Sequence, residues 1–342
     1  MNKKNIFSEN KPFIIAEVGQ NHNGDIDKAR EYIRVFAALG ANAVKFQTRN
    51  NKYLFSKDSY DADYNSENAF AKTYGAHREL LELDIKYLEI LKNDCIKYGV
   101  KFMSTPFDEI SVNELQKVGV DILKVASFDL GNLPLINKIA SLGKPVVISI
   151  GGGKSHQIKS SVELLLKHNI EISILHCVSE YPCPANHLGL ENIKLLKQTF
   201  PEIVIGSSDH FNGILSGPVA YIQGARVFEK HVTLDRSSKG TDHSFALERE
   251  GFRKFVRDIK RVEQMLTPKP DSEIGNEDVF KKLGKSLIAY EDINKGAVFT
   301  LDNLSGRIFK NQIVPVRESC NVIGKFSKRN LKKGDIISYD DF

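Results

Sequence analysis

No apolar stretch in this chain approaches the roughly 18 residues needed to cross a bilayer. Its first residues, MNKKNIFSENKP, lack the apolar centre of a signal peptide. Neither a membrane protein nor a secreted one is expected, and the reading is a cytoplasmic protein. Cysteine is scarce: Cys95, Cys177, Cys183 and Cys320 are the four in 342 residues, and none forms a CxxC pair. A disulfide framework or a structural zinc site is thereby disfavoured, and reduced thiols are expected. Charge of one sign is not in excess either, with 48 basic and 43 acidic residues interspersed. Nucleic-acid binding would want a basic face with aromatics between the charges. The one dense basic run, GKFSKRNLKKG at 324–334, reads instead as a solvated loop or strand edge. A dinucleotide fingerprint is missing too: no GxGxxG follows the first apolar run, and GGG at 151–153 is only a fragment of one.

What is present is a repeat of short β-rich runs and longer amphipathic stretches. The runs lie at 13–19, 41–48, 100–105, 121–127, 144–150, 171–177, 202–209 and 225–232. Helical patterns separate them, for example at 27–40, 86–99, 112–119 and 190–200, and another follows at 251–266. Eight such units predict a closed parallel (β/α)8 TIM barrel over 1–266. A doubly wound open sheet is the competing architecture. The gap at 49–83 is long, and reads either as disorder or as a loop beside the active site. TPKPDSEIGNED begins a linker at 267–285. Residues 286–342 form a small β-rich module whose halves, around DINKGAVFT and NLKKGDIIS, resemble each other. Alone, so small a module would be marginally stable.

In such barrels the C-terminal strand ends build the active face. Each run here ends in polar residues while its middle is apolar: Glu17, Lys45 and Gln47, Ser104 and Thr105, Lys124 and Ser127, Ser149, His176, Ser208 and His210, Glu229 and His231. Lys45 and Lys124, with hydroxyls at Ser127, Ser149 and Ser208, suit a phosphorylated anion. Ion pairing with Glu17 or Asp129 is the plainer reading of the two lysines. His210 and His231 end consecutive runs, and strands ~4.8 Å apart let both rings reach one ion. A divalent cation such as Mn²⁺ fits two imidazoles with nearby carboxylates and no thiolates; hydrogen bonding alone is the alternative. In FEKHVTLD at 228–235, Glu229 and His231 share one face and Lys230 takes the other. His176 reads as a core residue, and Tyr181, in a proline-bearing loop, as packing or substrate contact.

IAEVGQNHNGD at 15–25, VKFQT at 44–48, STPFD at 104–108, LKVAS at 123–127, LHCVSEYPCP at 175–184, SSDH at 207–210 and FEKHVTLD carry a resemblance along nearly the whole chain. They resemble the N-acetylneuraminate (sialic acid) synthase family, and the tail looks like that family's SAF, or antifreeze-like, domain. The resemblance implies condensation of phosphoenolpyruvate (PEP) with an open-chain N-acylated amino sugar to a nine-carbon 3-deoxy-2-keto acid, with release of phosphate. It implies a divalent metal, commonly Mn²⁺ with Mg²⁺ or Co²⁺ as alternatives, on His210 and His231. It puts PEP on Lys45, Thr105, Lys124, Ser127, Ser149 and Ser208, and makes Glu17 and Glu229 the catalytic acidic pair. Gln47, Asp129, Tyr181 and Asp242 match sugar-side positions. A homodimer is implied, each SAF domain lying over the other subunit's barrel and lending an arginine.

Three departures touch the substrate side. NLSGRIFKNQ at 303–312 puts Ile308 where that arginine stands, with Arg307 one position earlier. A one-residue shift along a strand reverses the face. SIGGG at 149–153 replaces an STGM-like sequence, and Ser179 stands where Asn is frequent. The sugar is therefore expected to be either N-acetylmannosamine-like or a diacetamido-trideoxyhexose. Rival readings are a PEP-dependent synthase on a phosphorylated sugar, a divalent-metal aldolase, and an inactive sugar-binding scaffold.

Overall fold

The computed structural model describes residues 5–342, which divide into two compact units between Leu266 and Thr267. In the first, eight parallel strands close into a barrel in chain order. They are β1 (Phe13–Gly19), β2 (Ala43–Thr48), β3 (Lys101–Pro106), β4 (Ile122–Val125), β5 (Val146–Ser149), β6 (Ile172–Cys177), β7 (Val204–Asp209) and β8 (Val227–His231). β1 pairs with β8 to complete the ring, Glu17 opposite His231. The barrel is the architecture the sequence predicts. β4 stops short of its run, because after Val125 the chain passes into a 3₁₀ turn at Ser127–Asp129.

Strand alternation sorts the side chains into two cores. Those pointing outward pack under the helices in a large cluster that includes Ile14, Val44, Phe102, Leu123, Ile148, Ile174, Ile205 and Phe228. Helix Ile26–Ala38 contributes Ala29, Tyr32, Ile33 and Phe36 at helical spacing, and Asp25 caps its start by accepting from the Asp27 and Lys28 amides. Those pointing inward begin with an apolar layer of Phe13, Ile15, Ala43, Met103, Ile122, Val147, Leu175 and Val227. Phe7 closes that layer from below, edge-on to Phe13 at 5.4 Å, its segment tied by the Ile6 and Phe7 amides to the Glu171 carboxylate. One step further along the same strands the inward positions become Glu17, Lys45, Thr105, Lys124, Ser149, Cys177, Ser208 and Glu229. An apolar floor thus lies beneath a charged tier.

The long gap is not structureless. It contains helices Asn51–Leu54, Lys57–Asp61 and Tyr74–Glu79, each capped by a side chain (Asn50, Ser56 and Thr73). Gly75 lies against the Tyr60 ring so closely that a Cβ would sit 2.3 Å from it. The second unit holds an antiparallel pair, β9 (Lys285–Ala289) and β10 (Leu304–Ile308), around a core of Leu287, Ile293, Phe299, Val314, Val322, Leu331 and Ile337. Its two similar halves pair with each other: Ile293 and Leu331 exchange both backbone hydrogen bonds at 2.8 Å. The expected Lys-Gly turns place Gly296 and Gly334 at φ 85° and 93°, in the left-handed region that glycine adopts without strain. In the stretch read as a linker, a helix forms at Asp278–Leu283.

On the outer face of β7 and β8 lies a buried ion pair. Lys230 Nζ sits 2.6 Å from Asp209 Oδ2 and also donates to the Phe211 carbonyl; Asp209 in turn accepts from Ser216 Oγ and the Phe211 amide. Every charge on that face has partners, which is the condition for burying it. Lys230→Met should cost roughly 3–5 kcal/mol in denaturant unfolding, because Asp209 is left buried without its cation. The double variant with Asp209→Asn should recover part of that loss; equal stability of the single variant and the wild type would contradict it.

Six histidines, His22, His77, His176, His210, His231 and His243, have their pKa lowered, in each case chiefly by burial. His22 is pushed down to about 4 although a hydrogen bond to the Gly19 backbone favours its proton. The unfolded chain takes up a proton near pH 6.5 and the folded chain does not, so stability is intact above that pH and falls below it. His22 alone accounts for a loss of roughly 3 kcal/mol, complete near pH 4. Unfolding midpoints measured from pH 7 to 4 should fall, and His22→Gln should fall less steeply; a profile parallel to the wild type would contradict this assignment.

Candidate active site

The charged tier opens into a cavity of about 460 Å³ at the C-terminal ends of the strands. Thirteen of the fourteen sequence-predicted site residues line it: Glu17, Lys45, Gln47, Thr105, Lys124, Ser127, Ser149, Tyr181, Ser208, His210, Glu229, His231 and Asp242. The other, Asp129, is not in the lining. It follows the turn after β4, and its carboxylate accepts from Asn132 Nδ2 at 2.9 Å, next to the start of helix Leu133–Ala140. His176, read as core, points away from the cavity and hydrogen-bonds the Leu188 carbonyl at 2.7 Å.

Four buried charges form the floor. Lys45 Nζ is 2.9 Å from Glu17 Oε2, 3.5 Å from Glu229 Oε1 and 3.2 Å from Thr105 Oγ1. Lys124 Nζ is 3.7 Å from Glu229 Oε1, so its carboxylate partner is Glu229 and not Asp129. Gln47 Nε2 donates to Glu17 Oε1 at 2.9 Å, and Ser208 Oγ donates to Glu229 Oε1 at 3.0 Å. The ion-pair reading of the lysines therefore holds for Lys45 with Glu17, and the pairs face open space. The two carboxyls are driven apart. Burial raises Glu17 to about 6, against the pull of Lys45 and with a push from Glu229. Burial would raise Glu229 too, but Lys124, Lys45 and His231 hold it down to about 2. Divergent carboxyls of this kind serve as proton carrier and fixed anion.

Above the floor stand the two imidazoles, ring centres 5.3 Å apart. His210 Nδ1 lies 2.7 Å from the Val178 carbonyl, and a proton on Nδ1 for that bond leaves the Nε2 lone pair free. Burial keeps both rings neutral, as metal ligands must be. His231 Nδ1, Glu229 Oε2 and Ser149 Oγ are buried without hydrogen-bond partners, whereas Glu17 Oε2 already faces Lys45 Nζ. The first two of these are acceptors that a cation would satisfy, with Asp242 Oδ2 3.8 Å from His231. Gly19, at φ 56°, leaves the space between them open: a Cβ there would lie 3.3 Å from Glu17 Oε1 and 3.6 Å from Asp242 Oδ2. The residues present fit a divalent metal on His210 and His231. Among the described residues no cluster of three or more His, Cys, Asp or Glu side chains is already drawn together as a metal cage, so solvent or substrate oxygens would complete the shell.

Tyr181 is 4.0 Å from the His210 ring, centre to centre, and its loop is closed by a cis Tyr181–Pro182 bond. Two of the departures read from the sequence meet here. Ser179 Oγ is 3.0 Å from Ser127 Oγ, and a Cβ on Gly151 would come within 2.6 Å of Ser179 Oγ. Gln20, Arg49, Asn68, Arg78, Phe107, Phe128, Cys177 and Thr241 also line the cavity and were not foreseen. Cys177 was findable from alternation along β6. Arg49, Asn68 and Arg78 belong to the 49–83 segment, where no strand period orients a side chain.

The sequence profile of the NeuB family matches residues 32–270. The human N-acetylneuraminate-9-phosphate synthase is 33% identical over 326 residues, 95% of this chain and 91% of that protein. The N,N'-diacetyllegionaminic acid synthase of Campylobacter jejuni is 34% identical over 335 residues, 96% of this chain and 99% of its own length. A crystal structure of the N-acetylneuraminic acid (sialic acid) synthetase from Leptospira borgpetersenii, in complex with citrate, superposes with a TM-score of 0.71 at 33% identity, over 82% of this chain and 95% of that one. The chain belongs to the NeuB family.

Proposed function

We propose that this protein condenses PEP with an open-chain N-acylated amino sugar to a nine-carbon 3-deoxy-2-keto acid, with a divalent metal, Mn²⁺ in the finer reading, held by His210 and His231. The observation that carries the proposal is the buried tier of Glu17, Lys45, Lys124 and Glu229 directly below those imidazoles. Lys45, Lys124 and the unpartnered Ser149 hydroxyl offer compact charge and a donor to an anion with two acidic groups, as PEP has. Thr105, Ser127 and Ser208 add hydroxyls at the same level. Bound divalent metal supplies Lewis acidity toward the sugar aldehyde oxygen.

The bonds balance without any further reactant. The PEP methylene carbon bonds to the aldehyde carbon, and the aldehyde oxygen becomes a hydroxyl. Water adds at the former enol carbon, and the bond from that carbon to the phosphate oxygen breaks. One proton of the water ends on the new hydroxyl and the other on phosphate. Glu17, raised to about 6, is the group that can take and return a proton near neutral pH. Glu229 stays ionised and orients Ser208 and the lysines. Gln47, Tyr181 and Asp242 stand on the sugar side of the cavity. The protein is proposed to act as a homodimer.

Relatives differ at the far end of the product: one is named for a 9-phosphate, another for a diacetylated acid. Membership therefore leaves the acceptor open between an N-acetylmannosamine-like sugar and a diacetamido-trideoxyhexose. The activity is tested with full-length protein, Mn²⁺, PEP and a panel of N-acylated amino sugars, with products read by mass spectrometry. A nine-carbon keto acid and phosphate should appear in equal amounts, and Lys124→Ala should raise the KM for PEP about tenfold or more, the scale of a lost charge-assisted contact. Phosphate release without a condensation product from any sugar would overturn the proposal.

The metal assignment has its own readout. In Mn²⁺ titrations followed by electron paramagnetic resonance, His210→Ala and His231→Ala should each weaken binding by more than the roughly 10–100-fold typical of lost outer-shell contacts. Unchanged binding in both variants would remove the two histidines from the metal site.

A further inference from the structure

Gln47 stands between two charged groups that make opposite demands on it. Its Nε2 donates to Glu17 Oε1 at 2.9 Å, and its Oε1 accepts from Arg49 Nη2 at 2.5 Å. An ionised carboxylate only accepts, and a guanidinium only donates. One orientation of the carboxamide satisfies both neighbours. Turned over, it would set oxygen against carboxylate and nitrogen against guanidinium. Glu17 alone does not enforce that orientation. In the activity proposed above, on which this step rests, Glu17 takes and returns a proton, and a protonated carboxyl can donate to an amide oxygen. Arg49 has no second state of this kind.

Arg49 is itself held firmly. Its side chain is 9% exposed, its guanidinium carbon lies 3.9 Å above the Phe107 ring, and its Nη1 is 3.2 Å from Glu82 Oε1. The Arg49 amide adds a bond to Glu82 Oε2 at 3.2 Å, and Gln20 Nε2 donates to Glu82 Oε1 at 2.8 Å. Burial works against the Arg49 charge, and the Glu82 carboxylate opposes that effect. Asp242, which lines the same cavity, accepts from Thr241 Oγ1 at 2.9 Å and faces His231 at 3.8 Å. On the other side of the amide, Gly19 leaves the room it needs: a Cβ there would lie 3.2 Å from Gln47 Nε2 and 3.3 Å from Glu17 Oε1.

The consequence for Glu17 falls on one atom. With the Gln47 N–H on Oε1, the oxygen left to exchange a proton is Oε2, which lies 2.9 Å from Lys45 Nζ. We infer that Arg49 is a positioning residue for the reaction: it fixes the Gln47 carboxamide, and Gln47 in turn holds the Glu17 carboxyl with Oε2 toward Lys45. The plain alternative is direct contact between Arg49 and the ligand, since Arg49 also lines the cavity. A double-mutant cycle separates the two, because a residue that acts through Gln47 has nothing further to lose once Gln47 is gone.

The test uses full-length protein with Mn²⁺, PEP and a panel of N-acylated amino sugars. Arg49→Met should lower kcat about tenfold or more, the scale of a lost hydrogen bond to a charged group, with the KM for PEP within about twofold. Arg49→Lys, which keeps a cationic donor, should recover much of that loss. Gln47→Ala should lower kcat at least as far, and the double variant with Arg49→Met no further. The carboxamide is also read without turnover, by nuclear magnetic resonance on nitrogen-labelled protein. Its two N–H signals, assigned by their loss in Gln47→Ala, should exchange slowly with solvent, and in Arg49→Met they should shift and exchange faster. Arg49→Gln, which retains N–H donors for Glu82, takes the same measurements if the Met variant does not fold. Signals that respond in this way while no sugar yields a condensation product would leave the coupling of Arg49 to Gln47 standing and sink the proposed activity. Additive losses in the double variant, unchanged carboxamide signals, or a full kcat in Arg49→Met would overturn the inference.

Discussion

Everything in the first unit is arranged around the burial of Glu17, Lys45, Lys124 and Glu229 at one level of a closed barrel. Unpaired, any one of them would neutralise or drag water inward. Paired at 2.9–3.7 Å, they are tolerable but electrostatically taut. The apolar layer of Phe13, Ile15, Ala43, Met103, Ile122, Val147, Leu175 and Val227 seals them from below. The seal serves chemistry as well as stability. It keeps the local dielectric low, so each ammonium and carboxylate exerts more force on a ligand than it would in water. Gly206 belongs to the same constraint. A Cβ there would lie 2.2 Å from the Val227 carbonyl, so only glycine lets β7 and β8 draw together beneath Ser208 and Glu229.

How much of this was legible in the sequence follows from which residues a period can orient. Strand alternation assigns a face once the run is recognised, so the inward series on β1, β2, β7 and β8 could be read from the chain alone. The same rule turned Lys230 outward, and the structure finds it there. Its partner Asp209 was not foreseen, since alternation gives a direction and not a neighbour. Asp129 shows the limit from the other side. It lies four residues beyond Val125, past the end of β4, and there the 3₁₀ turn carries its carboxylate to Asn132. Arg49 and Arg78 were invisible for a similar reason: three short capped helices, with no shared period, decide where that segment folds back.

The departures from the family pattern become intelligible once their contacts are known. Gly151 and Ser179 sit so close that neither can enlarge without moving the other, and Ser179 meets Ser127 at 3.0 Å. From the sequence they were separate oddities; in the fold, a change at one position constrains the other. Arg307 on β10, opposite Ser286 on β9, and the exposed Ile308 beside it belong to the second unit, and the one-residue offset between them gives them opposite faces.

The cavity divides into a tier at the strand ends and a rim above it, and the two are built from different kinds of structure. Lys45, Lys124, Glu17, Glu229, His210 and His231 stand at strand ends, where the ladder fixes each Cα and the neighbouring strands leave little room to shift. Arg49 lies just beyond β2 and Arg78 on the short helix Tyr74–Glu79, held by side chains such as Gln20, Glu82 and Tyr74 rather than by a ladder. Substitution at the floor disturbs a network in which Lys45 and Glu229 each answer two other charges. The two levels are joined through Gln47, which donates to Glu17 below and accepts from Arg49 above, so a change at the rim reaches the floor through one amide.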